Sequence, residues 1–290
     1  MKKILSCFFA AALLVAMAGC STDSKSSEDT LVVGTFNIDA KSQPDVEAQR
    51  DLMAENGVEI MGLQEVDNQT IRNPYDVVEK FAKDPYVDEY YTNCIGFQGG
   101  EYGIAIISQY ELQDESETKL FSDLFKGEEL KEAYANNDPD DPASEEALNA
   151  VSEKGPVEPR YYQRVVFEKN GKKIAFYNTH LSYEDMELRA QQMQTLKEAL
   201  DNDSCEYKII VGDFNATQST REFDLFKDEY SISNGKDGKW LDTFNGTDDT
   251  MNVNSVDNVI VSKNITINKV QMLDSKLSDH NPMVVELTLN

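Results

Sequence analysis

Leu31-Val32-Val33-Gly34-Thr35-Phe36-Asn37-Ile38, then Asp45 to Asn56, then Val58-Glu59-Ile60-Met61-Gly62-Leu63-Gln64-Glu65 follow one another with little between them. The first run is apolar and rich in β-branched residues, and it reads as a buried strand. In the second, Val46, Leu52 and Met53 fall on roughly one helical face, and Gly57 supplies a stop. The third is another strand, closed by Glu65. Strand, helix, strand in this order is the unit from which layered α/β architecture is built. Both strands deliver polar side chains to their C-terminal ends, Asn37 with Asp39 on one and Glu65 on the other.

The rest of the chain repeats that arrangement. Tyr102 to Ser108 is a further buried strand. Tyr161 to Glu168 and Lys172 to Thr179 flank Asn170-Gly171, a dipeptide that favours a tight hairpin turn. Met186 to Leu200 is amphipathic through Met186, Ala190, Met193, Leu196 and Leu200. Lys208 to Gly212, Val256 to Ser262 and Met283 to Leu289 complete the strands. Their ends carry Asn178 with His180, Asp213 with Asn215, Asp257, and Asp279 with His280. Taken singly, each has a dull explanation, because Asp and Asn end strands and cap helices routinely. Six apolar runs that each carry Asn, Asp, Glu or His at one end are hard to obtain from turn chemistry alone. His180 and His280 are also the chain's only histidines. A lone histidine is most often a hydrogen-bonded core residue, but two in such company point to chemistry.

The N-terminus reads as a processing signal. Lys2-Lys3 precedes the apolar run Ile4 to Met17, which is short of the roughly 20 residues of a membrane span. Met17-Ala18-Gly19-Cys20 resembles a bacterial lipobox, in which Cys20 is lipidated and becomes the new N-terminus. Residues 1–19 are then a signal peptide and 20–30 a lipidated cysteine with a polar tether, which places residues 31–290 outside the cytoplasm on an acyl anchor. The net charge is −26, and loss of Lys2 and Lys3 takes it to −28. Such a field repels polyanions and disfavours tight non-specific nucleic-acid binding. Cys94 and Cys205 remain, either as one disulfide or as two free thiols.

No linker or repeat divides residues 31–290, and a monomer of one domain is expected. Between about 111 and 159 the texture turns acidic. Asn136 to Pro142 reads as a loop, and Leu120, Phe121, Leu124 and Phe125 suit one short amphipathic helix. This stretch is read as a solvated excursion, with a substrate-selecting lid as the functional alternative.

A set of Asn, Asp, Glu and His at strand ends suits hydrolysis of a phosphate ester by a hard cation. Mg²⁺ prefers oxygen ligands and binds through one or two carboxylates, with Mn²⁺ or Ca²⁺ as alternatives. Imidazole and amide groups then activate water and neutralise phosphate oxygens. A histidine base needs an orienting carboxylate, which either Asp257 or Asp279 can supply. Zinc suits the chain less, since it has no close histidine pair and no thiolate cluster.

Thr35-Phe36-Asn37-Ile38-Asp39, Gly62-Leu63-Gln64-Glu65-Val66, Asn178-Thr179-His180-Leu181, Gly212-Asp213-Phe214-Asn215, Val256-Asp257-Asn258-Val259 and Ser278-Asp279-His280-Asn281-Pro282 occur in the order of one superfamily. From Leu31 to Leu289 the chain resembles the endonuclease/exonuclease/phosphatase superfamily of metal-dependent phosphoesterases. The resemblance implies a four-layer αββα sandwich, an α/β (α+β) fold of two packed mixed β-sheets with the site at one end. It implies Glu65 as principal metal ligand, with Asn37, Asp39 and Asp279 near the metal or its waters. His280, oriented by Asp257, is implied as general base or phosphate ligand. Asp213 and Asn215 would position the attacking water and the phosphate. His180, beside Asn178, would bind the scissile phosphate or protonate the leaving group.

The departures narrow the field. The abasic-site nuclease branch typically has tyrosine where this chain has His180. Pancreatic-type deoxyribonucleases, sphingomyelinases and inositol-phosphate phosphatases share the histidine. A carboxylate often pairs with it in secreted deoxyribonucleases, and Glu101 is the candidate here. Asn245 to Val253 lacks the threonine-proline step of many relatives. Arg160 and Arg164 are candidates to face a phosphate, with surface salt bridges as the plainer reading. The expectation is a Mg²⁺-dependent phosphodiesterase or phosphomonoesterase at a bacterial surface. A small or lipid-linked phosphoester is favoured over DNA or RNA. The competing readings are a secreted-type nuclease and a binding lipoprotein that keeps the fold without the chemistry.

Overall fold

The computed structural model describes residues 29–122, 132–138, 140–152, 158–217, 220–245 and 255–290. The expected signal peptide, Cys20 and most of its tether, and Leu124 and Phe125 lie outside them. Thr30–Asn37 forms β1, Val46–Glu55 forms α1 and Ile60–Asn68 forms β2. Asp45 caps α1 by accepting the Ala48 N–H at 3.1 Å, which satisfies one of the helix's orphan donors. Gly57, at φ 75°, lets the chain leave the helix and enter β2. β1 and β2 pair in parallel, with Asn37 level with Gln64.

Val77–Phe81 forms α2, Asp88–Phe97 β3, Gly100–Ser108 β4 and Gln113–Lys119 β5. Pro142–Ser152 forms α3, Tyr161–Lys169 β6, Lys172–His180 β7, Met186–Asn202 α4 and Tyr207–Asp213 β8. Tyr230–Ile232, Asp257–Ser262, Ile265–Met272 and Met283–Leu289 are β9 to β12. The β6–β7 turn has Asn170 at φ 53° and Gly171 at φ 78°, as a type I′ hairpin requires.

Two six-stranded mixed sheets result, in the orders β11-β12-β1-β2-β4-β3 and β5-β6-β7-β8-β10-β9. Leu31, Val33, Phe176, Val211, Val259 and Val285 belong to the core between them. Met53 of α1 and Phe81 of α2 cover the outer face of the first sheet. Met193, Leu196 and Leu200 of α4 cover the outer face of the second. The order of layers is helix, sheet, sheet, helix, as expected. Each sheet has one parallel pair, β1 with β2 and β7 with β8, and the carboxyl ends of both pairs open at the same rim.

The stretch expected as a solvated excursion from 111 to 159 differs in part. It contains β5, an exposed edge strand whose sequence, QDESETK, has no apolar alternation to betray it. It also contains α3 and a helical turn at 132–135. Leu120 is buried in the core under α4, while Phe121 is exposed.

Candidate active site

Gln64 and Glu65 form a bulge in β2, where pairing with β4 slips between Leu63 and Val66 and Glu65 takes φ 57°. A bulge re-aims a side chain at a strand end, and here it brings Glu65 to the rim. Asn37 bridges the sheets there. Its Nδ2 donates to Glu65 Oε1 at 3.1 Å and to Asp213 Oδ2 at 3.1 Å, while its Oδ1 accepts the Asp39 N–H at 3.2 Å.

Asp213 is the centre of the arrangement. Its Oδ2 lies 3.5 Å from His180 Nε2 and 3.7 Å from His280 Nε2. Its Oδ1 accepts the Asn215 N–H at 2.9 Å. Strand register explains the geometry, since Asp213 is level with His180 on β7 and with Asp257 on β10. Asn215 also donates from Nδ2 to Leu181 O at 2.9 Å, which fixes the turn after β8 to the end of β7. His280 Nδ1 meets Asp257 Oδ2 at 2.9 Å. Of the two carboxylates considered for orienting His280, Asp257 makes the contact. Ser278 Oγ donates to Asn37 O at 2.7 Å and accepts the His280 N–H at 3.0 Å, so the last loop is stitched to β1.

The electrostatics follow from burial and neighbours. Desolvation pushes Glu65 up to about 7 against the help of Asn37. Its carboxylate takes one side-chain hydrogen bond among the described residues, from the neutral amide of Asn37, and the His280 charge opposes its burial only in part. Burial and the Asp257 charge hold Asp213 above the usual carboxylate range. Burial opposes protonation of His280, but Asp257 overcomes it and raises the imidazole to about 10. Burial lowers His180 well below the usual value, with Arg160 and His280 adding to the effect. Desolvation raises Asp279, and Asp39 reinforces it.

The ligand-type atoms of Asp213, Asp257 and His280 lie within 4.8 Å of one another. His280 Nδ1 already faces Asp257, so this group is tied together by its own hydrogen bond. Glu65, with Asp279 in its electrostatic surroundings and Asp39 in those of Asp279, is the carboxylate that a hard divalent cation would complete.

Three expected residues stand elsewhere. Arg164 points to the outer face of the second sheet, where Nε and Nη2 bind Asp203 at 2.6 and 3.3 Å beyond the end of α4. Arg164 lies within β6, opposite Tyr177 on that outer face, whereas Arg160 precedes the strand. Arg160, the other arginine of that pair, lies beside His180. Its guanidinium is 3 % exposed, meets Glu158 at 3.1 Å, and shares a small cavity with His180. Its Nε has no hydrogen-bond partner among the described residues. Asn178 is fully buried and bonds Leu63 O, Ala105 O, Gln163 and Gln64 at 3.1, 2.9, 3.0 and 2.8 Å. It joins the sheets beneath His180, and its Nδ2 donors are spent on protein acceptors. Glu101 accepts from Asn68 Nδ2 at 3.4 Å, and the carboxylate found beside His180 among the described residues is Asp213. Cys94 and Cys205 are both free thiols.

Sequence reasoning missed Gln64, Ser278 and Tyr102. Gln64 stood in a quoted motif without a role, yet its place beside a strand-end glutamate marks it as the residue turned inward. Tyr102 follows Glu101 and therefore faces the opposite side, into the cavity shared with Arg160 and His180.

The structure is similar to several solved ones. A crystal structure of an endonuclease/exonuclease/phosphatase from Bacteroides vulgatus matches at TM-score 0.65 and 18 % identity, covering 90 % of this chain and 99 % of that one. A mannosyl-6-phosphatase from Bacteroides thetaiotaomicron matches at 0.58 and 18 %, covering 89 % and 99 %. D. rerio TDP2, complexed with single strand DNA product, matches at 0.61 and 11 %, covering 89 % and 99 %. No curated protein matches the chain in sequence. The sequence pattern of the Endonuclease/Exonuclease/phosphatase family runs through residues 34–280, from β1 to His280. With that span and a site drawn from both sheets, the chain belongs to the endonuclease/exonuclease/phosphatase family of phosphoester hydrolases.

Proposed function

We propose that the protein is a divalent-cation-dependent hydrolase of a small or lipid-linked phosphoester, with Mg²⁺ the first choice and Mn²⁺ or Ca²⁺ as substitutes. The observation that carries this reading is the Asp213 carboxylate set between two imidazoles and joined through Asn37 to Glu65. When bound, the cation polarises the phosphoryl group and stabilises charge on the leaving oxygen. Glu65 would hold it with the help of Asp39 and Asp279, and Asn37 fixes the Glu65 carboxylate.

Asp213 takes the proton of the attacking water at Oδ2. Its raised affinity for a proton suits a base working near neutral pH. Asn215 and Asn37 hold its two oxygens for that task. His280, kept protonated by Asp257, gives its Nε2–H to a phosphate oxygen and supplies positive charge there. This moves the base role from His280 to Asp213. His180 stays neutral and donates a hydrogen bond to the scissile phosphate, since a lowered pKa ill suits a general acid. Arg160, whose Nε–H has no partner among the described residues, adds charge beside His180 in a buried setting.

The mature charge of −28 supports a small substrate over long nucleic acid. The structural neighbours include one named for a sugar phosphate and one holding DNA, so the fold itself accommodates either. The lipobox-like Met17 to Cys20 supports an extracytoplasmic, acyl-anchored protein, and release of a Cys20→Ser variant from membranes tests that part. For the chemistry, excess EDTA should abolish hydrolysis of bis(p-nitrophenyl) phosphate and p-nitrophenyl phosphate, and Mg²⁺ or Mn²⁺ should restore it. Turnover that persists in excess chelator sinks the metal requirement.

A further inference from the structure

Beyond the catalytic residues, Glu65 and Glu158 open onto a second space, a cleft of about 720 Å³. Its size falls within the range of small-molecule sites, roughly 300–1,000 Å³. One wall is the β3–β4 hairpin and the other is the stretch from Tyr134 through α3. The two walls are joined by built contacts. Gln98 N–H donates to Tyr134 O at 3.1 Å, and Gln98 Nε2 to Asn137 Oδ1 at 3.2 Å. Gln98 and Asn137 are both buried. Phe97 packs against Tyr102 and Tyr134 with ring centroids 6.1 and 5.8 Å apart, and Arg72 lies 4.5 Å over the Phe97 ring. Tyr183, three residues past His180, lines the same cleft and is 67 % exposed.

The charges that line the cleft discriminate between substrates. Arg72 is engaged by Asp67 at 2.7 and 2.9 Å, and Glu158 by Arg160. Glu65 faces the cation site. Lys41 and Glu145 remain, and they cancel. Among the described residues, the cleft away from Glu65 therefore offers no unpaired positive charge to a second phosphate or a polyanionic strand. What it offers is aromatic faces beside amide, carboxylate and phenol groups. That combination suits a molecule with both C–H faces and many hydroxyls.

We propose that this cleft receives the alcohol part of the substrate, and that this part is an uncharged, polyhydroxylated ring of sugar size bearing one phosphoester. The inference rests on the hydrolase reading above and adds the substrate class to it. The stretch from Tyr134 through α3 is then a specificity wall, and Tyr183 stacks on the ring from the open side.

The test compares kcat/KM with Mg²⁺ for hexose 1- and 6-phosphates, as monoesters and as methyl diesters, against methyl and dimethyl phosphate and a single-stranded oligonucleotide. The wild type should prefer at least one hexose ester over both references by about tenfold or more. In Tyr183→Ala, and separately in Tyr134→Ala, that preference should fall about tenfold, mainly through KM. Tyr183 is exposed, so its variant should keep the wild-type fold by circular dichroism. Preference for the oligonucleotide or for the methyl esters overturns the inference, as does a hexose preference that neither variant reduces. Failure to hydrolyse any ester, activated p-nitrophenyl esters included, refutes the hydrolase reading itself and removes this inference with it.

Discussion

Replacing Asn178 by alanine separates a scaffold residue from a substrate ligand, because the two roles predict opposite losses. Asn178 crosses between the sheets with both ends of its amide engaged. Without it, Gln163 Oε1 loses its hydrogen-bond donor, and Gln64 Nε2 keeps only Thr35 Oγ1, at 3.1 Å. The carbonyls of Leu63 and Ala105 lose a donor as well. A buried polar group left without its partner costs about 1–3 kcal/mol, and two such groups with a small void bring the expected loss to about 4 kcal/mol. With a urea m-value of about 2–3 kcal/mol/M, the unfolding midpoint should fall by about 1.5 M. The measurement is urea unfolding followed by circular dichroism, paired with KM on whichever ester the wild type hydrolyses. The folded fraction of Asn178→Ala should keep a KM within about threefold of wild type. A stability loss below about 1 kcal/mol with a KM raised tenfold or more would place Asn178 against the substrate and refute the scaffold argument.

Gly62→Ala tests the same crossing from the other sheet. A Cβ there would stand 2.3 Å from Asn178 Oδ1 and 2.6 Å from Val211 Cγ2, so a loss of about 2–3 kcal/mol is expected, and an unchanged melting temperature would contradict it. Asp257→Asn removes the charge that holds His280 protonated. The rate should drop by about a hundredfold or more and the alkaline limb of the pH–rate profile should move to lower pH; an unmoved limb would exclude protonated His280 from the reaction. Burial alone would raise Asp203, but bonds from Arg164 and Tyr177 and from the Cys205 N–H hold it at about 2, below its ordinary 3.8. That carboxylate therefore stabilises the fold fully above about pH 4 to 5 and stops doing so as pH falls through 2. Because solvent partly screens the pair, Asp203→Asn should cost about 1–2 kcal/mol at pH 7, and the gap to wild type should close by pH 2 in a denaturant series; equal stability at pH 7 would contradict this.

The layers and the rim were legible because both are written in local pattern. β1, α1 and β2 announce themselves by period and caps, and strand ends deliver Asn37, Glu65, Asp213 and the two histidines in quotable motifs. The outcome differs where function depends on which face a residue takes over a distance. Arg160 and Arg164 are four residues apart around one strand start, and the sequence offers both equally. Only the position of Arg160 ahead of β6, with Arg164 opposite Tyr177 on the outer face, decides between them. Asn178 misled for a related reason. A buried amide that ties two sheets and an amide that grips a phosphate carry the same letter, and the distinction lies in Gln64 and Gln163, 114 and 15 residues away. The wall of the cleft was illegible for a third reason. Tyr134 and α3 lie in acidic sequence, and Tyr134 and Ala135 are held by a pair of backbone bonds to the β3–β4 turn at Gln98 and Gly99. Motifs thus carry the chemistry that acts on phosphorus, while the groups that recognise the rest of the substrate are set by contacts between distant, unpatterned segments. A reading that stops at the motifs reaches a phosphoester and no further, and the ring that Tyr183 and Tyr134 are argued to hold is accessible only from the folded chain.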